Sequence, residues 1–252
     1  MLNPSPEALA HEFWAGTGLH GTFPRQIEQA IALKLPLALV KLRRLDVQAV
    51  KRWLEQRNVA APLPADLRDL RGALVAYRGH GIVFVCGADQ PEEQRLTIGH
   101  EVAHFLLDYH LPRQQVIQAL GTGIADVLDG IRGPTPVERT GAILSHIRLA
   151  AHVHLLPRPG SDEEADAVVA SAEERADRLA LELVAPQESL DAFLQELSSH
   201  QVVSSQEIRA ALTTHFGLPA HSCKDLLRYA VQRRPPSFVA DISERMRRRR
   251  EG

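Results

Sequence analysis

Apolar residues recur along the chain with two different spacings, which predict helices in some segments and strands in others. Between residues 24 and 58 they lie three or four positions apart, as on successive turns of a helix. After a proline-rich connector at 60–67, two short runs rich in β-branched and aromatic residues follow, at 73–77 and 82–86. A glycine-containing segment separates these runs, so we predict a β-hairpin there.

Beyond the hairpin, the pattern returns to helical spacing for most of the remaining chain. Pro91 begins a helix that contains LTIGHEVAHFLLD at 96–108, and breaks such as GPTP at 133–136 separate the helices that follow. Residues 201–235 are typical of a helix, a Gly-Leu-Pro turn and a second helix. The predicted fold class is therefore α+β and mostly helical, with a small antiparallel sheet and added helices.

Composition and charge exclude several classes of protein. The chain has 252 residues, a formal net charge of −2 and 44% hydrophobic residues, so it lacks a strong overall field for nucleic acid or anionic lipid. Its two cysteines, Cys86 and Cys223, are too few for a disulfide framework. The sequence shows neither a secretory signal pattern nor an apolar run of about 18–20 residues. We therefore expect a cytoplasmic protein that does not enter a membrane.

The segment 96–108 places His100, Glu101 and His104 in an apolar helix. A helix turns by about 100° per residue, so His100 and His104 face the same side and can bind one metal ion. Zn²⁺ takes neutral imidazole ligands, and a catalytic zinc keeps one position for water. Glu101 lies one residue further round, where it can take a proton from that water and pass it to a leaving amine. The pattern predicts Zn²⁺ at the histidines, with Glu101 as general base and acid.

A catalytic zinc usually has a third protein ligand, and the sequence offers several. Glu173 stands out because Asp177 lies one helical turn later, where its carboxylate can orient a ligating imidazole. Spacing by itself also leaves open Asp108, His110, Glu138, His146, His152, His154 and the acidic run at 162–177. If 152–159 is a strand, His152 and His154 point to one side and can reach a metal, whereas at a helix end they cannot. For these two histidines we expect a structural or substrate-facing role.

Two phrases of the sequence match a known family. GIVFVCGADQPEEQRLTIGHEVAHFLLD, followed later by EERADRLALELVAP, resembles the ImmA/IrrE family of zinc metallopeptidases. The resemblance implies a zincin-like core in which His100, His104 and Glu173 bind Zn²⁺ and Glu101 is catalytic. It covers residues 70–108 and 170–190 well and the N-terminal helices loosely.

The chain also departs from the family pattern. Asp177 stands where the family usually has Asn, and Leu179 where it has Phe. The 68 residues between His104 and Glu173 exceed what we expect of the family's compact forms, so we interpret 110–160 as a helical insertion. We predict four parts. An N-terminal helical segment at 1–60 packs on a zincin-like catalytic core at 61–200, which contains the insertion. A C-terminal helix-turn-helix-like pair at 201–235 and a basic tail at 236–252 follow.

The predicted function is zinc-dependent endopeptidase action on a protein substrate. The resemblance implies a helix-turn-helix repressor as that substrate, in a stress or mobile-element response. One alternative is a non-proteolytic zinc-containing regulator that binds a transcription factor, and another is a DNA-binding regulator whose metal is structural. The second helix of the pair at 201–235 offers only Lys224 and Arg228 for DNA, so nucleic-acid binding through this region is a secondary expectation.

Overall fold

The computed structural model describes residues 4–139, 151–158, 167–200 and 204–232. Within these ranges the chain is a mixed α+β structure in which helices predominate. The strands are β1 (Leu37–Leu42), β2 (Leu70–Tyr77), β3 (His80–Cys86) and β4 (His152–Pro157). The α-helices are α1 (Pro6–Trp14), α2 (Ile27–Lys34), α3 (Val47–Glu55), α4 (Pro91–His104), α5 (Leu111–Leu120), α6 (Ala125–Leu128), α7 (Ala167–Val184), α8 (Gln187–His200), α9 (Ser205–Phe216) and α10 (Ser222–Gln232).

The strands form a mixed sheet in the order β1-β3-β2-β4. Strands β2 and β3 confirm the predicted hairpin, and Arg78 and Gly79 at its tip have positive φ angles of 49° and 81°. Two consecutive residues of this kind make a tight turn whose twist suits adjacent antiparallel strands. Strand β4 pairs antiparallel with β2, but β1 pairs parallel with β3. The prediction of a purely antiparallel sheet is therefore wrong.

Strand β1 lies inside the segment 24–58, which the periodicity assigned to helices alone. Its sequence LALVKL is a run of 6 residues, and so short an apolar run does not distinguish a strand from a turn and a half of helix. The parallel partner β3 supplies the pairing that makes it a strand. Helix α2 begins at Ile27, three residues after the start of the segment with helical spacing.

Each face of the sheet carries a hydrophobic layer. On one face, Val75 and Phe84 pack in a cluster with apolar residues of α3. On the other face, Leu74 and Val83 pack in a larger cluster with apolar residues of α1, α4, α7 and the C-terminal helices. Helix α4 therefore lies between the sheet and α7, with contacts to both. This position brings residues of β2, β4 and α7 close to the histidines of α4.

In the region 110–160, predicted to be a helical insertion, the described residues include helical segments and, near the end, a strand. Helix α4 continues through a π-helical turn at Phe105–His110 into α5, and a short 3₁₀ turn and α6 follow. The chain then returns to the sheet as β4, so the end of the predicted insertion is a strand rather than a helix. His146 lies outside the described residues, as does the whole of 140–150.

Two helices, α9 and α10, lie within 201–235, where the sequence predicts a C-terminal pair. Ser204 and Glu207 form a reciprocal capping box at the start of α9, and Gly217 ends that helix with a φ of 62°. The basic tail at 236–252 lies outside the described residues. Among the helices that the structure describes, none combines the length and the apolar character needed to cross a bilayer.

Candidate metal centre

Helix α4 carries the first two candidate ligands. His100 and His104 are both buried, and their Nε2 atoms lie 3.1 Å apart. Ile98 and Val102, from the apolar stripe of the same helix, are fully buried in the core. The stripe fixes the helix against its neighbours, and the two imidazoles point to the same place, as their spacing predicts.

Helix α7 brings Glu173 to these imidazoles. Its carboxylate oxygens lie 3.2 Å from Nε2 of His100 and 3.5 Å from Nε2 of His104. The two helices approach closely at Gly99, where an added Cβ would lie 3.5 Å from the backbone oxygen of Ala180. The structure thus brings together the three residues that the sequence predicts as metal ligands.

Two further carboxylates contact the Nδ1 atoms of the α4 histidines, on the side of each ring away from Glu173. Oδ1 of Asp177 lies 2.9 Å from Nδ1 of His100, and Oδ2 of Asp108 lies 2.6 Å from Nδ1 of His104. A carboxylate only accepts hydrogen bonds, so each Nδ1 carries a proton and donates it. In a neutral ring this leaves the lone pair on Nε2, the atom that faces Glu173. The orienting role predicted for Asp177 is therefore matched by its contact with His100.

Strand β4 adds His154, which the sequence leaves among the candidates for the third ligand but for which we expect a structural or substrate-facing role. Its Nε2 lies 3.1 Å from Oε1 of Glu173, and its Nδ1 lies 2.9 Å from Oε2 of Glu101. His154 faces α4 because it pairs with Leu74 of β2, whose side chain lies in the same core layer. The signal in the sequence was the alternation of a strand, which places His152 on the same face. Among the described residues, the group that can hold a metal includes His154 and not His152.

Glu101 is fully buried between α4 and the sheet. Its Oε2 contacts His154, and its Oε1 has no hydrogen-bond partner in the described part of the chain. An added Cβ on Gly72 of β2 would lie 2.6 Å from that Oε1, so the glycine leaves the space that the carboxylate occupies. Glu101 borders the group of possible ligands without belonging to it. This placement suits a proton acceptor better than a ligand.

The charges around the centre favour a bound cation. Burial would lower the pKa of His100, but the carboxylates of Asp177, Glu173 and Glu101 raise it to about 9. Burial also opposes the charged form of His154, whose pKa Glu101 and Glu173 nevertheless raise to about 10. Burial would raise the pKa of Glu173, yet hydrogen bonds with the surrounding imidazoles hold it well below its usual range. Positive charge, carried by protons or by a metal ion, is therefore stabilised at this point.

The donor atoms also fit a transition metal. One nitrogen or oxygen from each of His100, His104, His154 and Glu173 lies within 4.8 Å of the others. Imidazole nitrogens with one carboxylate suit Zn²⁺ and related ions better than Mg²⁺ or Ca²⁺, which prefer sets of oxygen ligands. The residues present are therefore compatible with the zinc that the sequence predicts.

The other candidates for the third ligand have different contacts. Asp108, His110 and Glu138 contact His104, Gln114 and Arg132, respectively. Glu174, the neighbour of Glu173, pairs with Arg178 at 2.7 Å near the surface. Only one of these two adjacent carboxylates therefore faces the imidazoles. Residues 162–166 of the acidic run lie outside the described part of the chain.

Two cavities meet at the ligand group. One, of about 560 Å³, borders His100 and Glu173 and is lined mainly by polar side chains, several of them from α7 and α10. The other, of about 780 Å³, borders His104 and His154 and is lined largely by apolar side chains from β4, α7 and the start of α5. The two cavities thus border the candidate metal centre, and Glu173 lines both of them.

A scan against protein-family models, a search of curated proteins and a search of solved structures each returned no match for this chain. The resemblance to the ImmA/IrrE family therefore stays a prediction that rests on the two sequence phrases. The function has to follow from the geometry and chemistry of the chain's own residues.

Proposed function

We propose that this protein is a zinc-dependent endopeptidase in which His100, His104 and Glu173 hold Zn²⁺ and Glu101 is the general base and acid. One observation carries the proposal: a histidine pair on α4 and a carboxylate on α7 converge beside a second, buried carboxylate outside the ligand group. A structural zinc site needs four protein ligands and no neighbouring base. Hydrolysis needs an open position and a base. Three protein ligands would leave that position, and Glu101 lies where a base is needed.

The residues of the centre have distinct roles in this proposal. Bound Zn²⁺ supplies a Lewis acid and lowers the pKa of water to about 7. Glu101 takes the proton of the attacking water and gives it to the nitrogen of the leaving amine. Asp177 and Asp108 hold the rings of His100 and His104 through Nδ1, which fixes the direction of each Nε2.

The two cavities favour a polypeptide as the substrate. Cavities on both sides of the ligand group leave room for chain on either side of a scissile bond. In the described sheet, β4 pairs with β2 alone, so its other edge offers backbone groups for an added strand beside His154. The sequence resemblance suggests which protein is cleaved: a cytoplasmic helix-turn-helix repressor in a stress or mobile-element response.

A second candidate function follows from His154. If its Nε2 became a fourth protein ligand, the site would be closed and the metal structural. The protein would then be a non-proteolytic zinc-containing regulator that binds a transcription factor or DNA. Hydrolysis by the zinc-loaded protein separates the two functions.

The test compares the zinc-loaded wild-type protein with Glu101→Gln. Elemental analysis should find about one Zn²⁺ per chain in both, because Glu101 is not a ligand. The wild-type protein should cleave a peptide library of diverse sequence. The rate of hydrolysis by the variant should be lower by at least about 100-fold, because general acid–base catalysis usually contributes a factor of this size to the rate. Glu174→Gln is the matched control, since it removes a neighbouring carboxylate that faces solvent.

Two results would count against these assignments in different ways. A zinc-loaded wild-type protein that cuts no member of the library would overturn the endopeptidase and favour the regulator. Loss of zinc from Glu101→Gln would instead make Glu101 a ligand and leave the reaction without its base.

A further inference from the structure

His154 touches both kinds of functional group in the centre, the candidate base and a candidate ligand. For Glu101, the contact with Nδ1 of His154 is the one hydrogen bond that the side chain makes in the described part of the chain. On its other side, the carboxylate lies against the backbone at Gly72, with no space for a side chain between them. The direction of the Glu101 carboxylate therefore depends on His154.

The geometry of the rings separates His154 from His104. Imidazoles that bind one Zn²⁺ at about 2.0–2.1 Å from tetrahedral directions have ring centroids about 5 Å apart. The centroids of His100 and His104 are 4.7 Å apart and their planes make an angle of 64°, which fits this arrangement. The centroids of His104 and His154 are 3.7 Å apart, and their planes are nearly parallel at 24°. Two stacked rings do not approach one ion from tetrahedral directions, so His104 and His154 do not both bind it. The centroids of His100 and His154 are 5.4 Å apart, a distance that does not separate these two rings. We assign His104 to the ion because Nδ1 of His154 already contacts the candidate base Glu101.

We propose that His154 is a positioning residue, whose Nδ1–H holds the Glu101 carboxylate beside the metal centre while its ring stays outside the ligand set. This inference rests on the proposed function, because it gives His154 a role in the reaction of Glu101. A carboxylate oxygen accepts, so Nδ1 donates across the 2.9 Å contact. The stacked ring of His104 and the carboxylate of Glu173 hold the imidazole in place from the other side.

Two substitutions of nearly equal chemistry test which nitrogen of His154 matters. Asparagine places its amide nitrogen near the position of Nδ1, and glutamine places its amide nitrogen near the position of Nε2. His154→Asn should keep the hydrogen bond to Glu101 and retain most of kcat. His154→Gln should lose this hydrogen bond. Its kcat should then fall by about 10-fold or more, which is less than the loss expected when Glu101 itself is replaced, while KM stays the same.

Metal binding provides a readout that does not depend on activity. In both variants, a competitive titration should give a zinc affinity within about 3-fold of the wild-type value, and the absorption spectrum of the Co²⁺-loaded protein should be unchanged. His104→Asn is the control for a true ligand. Loss of a hydrogen bond to a ligand usually weakens metal binding by roughly 10–100-fold, and loss of the ligand His104 should weaken zinc binding by more than this. His104→Asn should also alter the absorption spectrum of the Co²⁺-loaded protein.

A double substitution tests whether His154 acts through Glu101. In the Glu101→Gln background, changing His154 to Gln should have little further effect on kcat, because the group that it positions is gone. Equal losses of kcat in His154→Asn and His154→Gln would overturn the positioning role and leave the endopeptidase standing. Loss of zinc from both variants would make His154 a ligand. A zinc-loaded wild-type protein without hydrolysis would overturn the proposed function and this role with it.

Discussion

Glu173 and Glu174 are adjacent on α7 and have different surroundings, which gives a prediction about zinc affinity. Glu173 faces the imidazoles, whereas the side chain of Glu174 is 67% exposed and pairs with Arg178. Glu173→Ala should therefore weaken zinc binding most, and Asp177→Ala should weaken it by roughly 10–100-fold because the ring of His100 loses its anchor. Glu174→Ala should leave the affinity unchanged. A competitive zinc titration on the three variants, with circular dichroism to confirm folding, checks this. A loss in Glu174→Ala as large as that in Glu173→Ala would mean that α7 is rotated.

The protonation of His100 gives a second prediction at the scale of single residues. Its pKa is raised to about 9, so at pH 7 the metal-free imidazole carries a proton. Zinc binds only the neutral ring, and uptake at pH 7 should release this proton into solution. Zinc affinity should therefore rise as the pH increases, until the pH exceeds about 9. Titration calorimetry in buffers of different ionisation enthalpy measures the release, and uptake without released protons would contradict the assignment.

At the residue scale, the sequence predicts those parts of the centre that are local. His100, Glu101 and His104 follow from the geometry of one helix, and Asp177 follows from its place one turn after Glu173. His154 lies 53 positions from Glu101 in the chain. Its place depends on the pairing of β4 with β2, and a six-residue segment does not specify that pairing by itself.

At the scale of elements, too, the sequence predicts contacts that are local in the chain and not contacts between distant segments. The hairpin belongs to the first kind and the other strands to the second. β2 and β3 are joined by a glycine turn, so their pairing is local and the sequence predicts it. β1 and β4 pair with strands that are distant in sequence, one parallel and one antiparallel. Such pairing is set by the tertiary structure. The periodicity of the chain therefore gave helices for the region of β1 and left the region of β4 open between a strand and a helix end.

The contact between β2 and α4 leads to a prediction about a glycine. A Cβ at position 72 would lie 2.6 Å from Oε1 of Glu101 and 2.6 Å from Cγ2 of Thr97. Gly72→Ala should therefore displace the carboxylate, lower kcat by at least about 10-fold and leave zinc affinity nearly unchanged. Gly81→Ala is the control, because its Cβ would meet Leu37 and Phe105, away from Glu101. It should lower the melting temperature without a comparable loss of kcat. Equal losses of kcat in the two variants would show that the effect of Gly72→Ala is only destabilisation.

At the scale of the whole molecule, the C-terminal helices are joined to the core that carries the candidate metal centre. Leu212, Phe216 and Leu226 are buried in the same hydrophobic cluster as Ile98 of α4. Nη1 of Arg95, one turn before the first ligand, donates to the backbone oxygen of Gly217 at 2.7 Å. Residues from the start of α10 also line the cavity beside His100. The sequence predicts the two helices correctly but not this attachment, because it depends on which apolar faces meet.

This attachment predicts that the C-terminal pair stabilises the fold that carries the candidate metal centre. Phe216 is fully buried, with Phe23 and Phe193 in edge contact at 4.8 and 5.7 Å between ring centroids. Phe216→Ala should lower the free energy of unfolding by about 3–5 kcal/mol, the usual cost of removing a buried aromatic ring. Leu67→Ala is the control, since Leu67 is 76% exposed and its removal should change stability little. Denaturant unfolding followed by circular dichroism measures both. If Phe216→Ala were as stable as Leu67→Ala, the C-terminal helices would be an independent unit, as a separate DNA-binding pair would be.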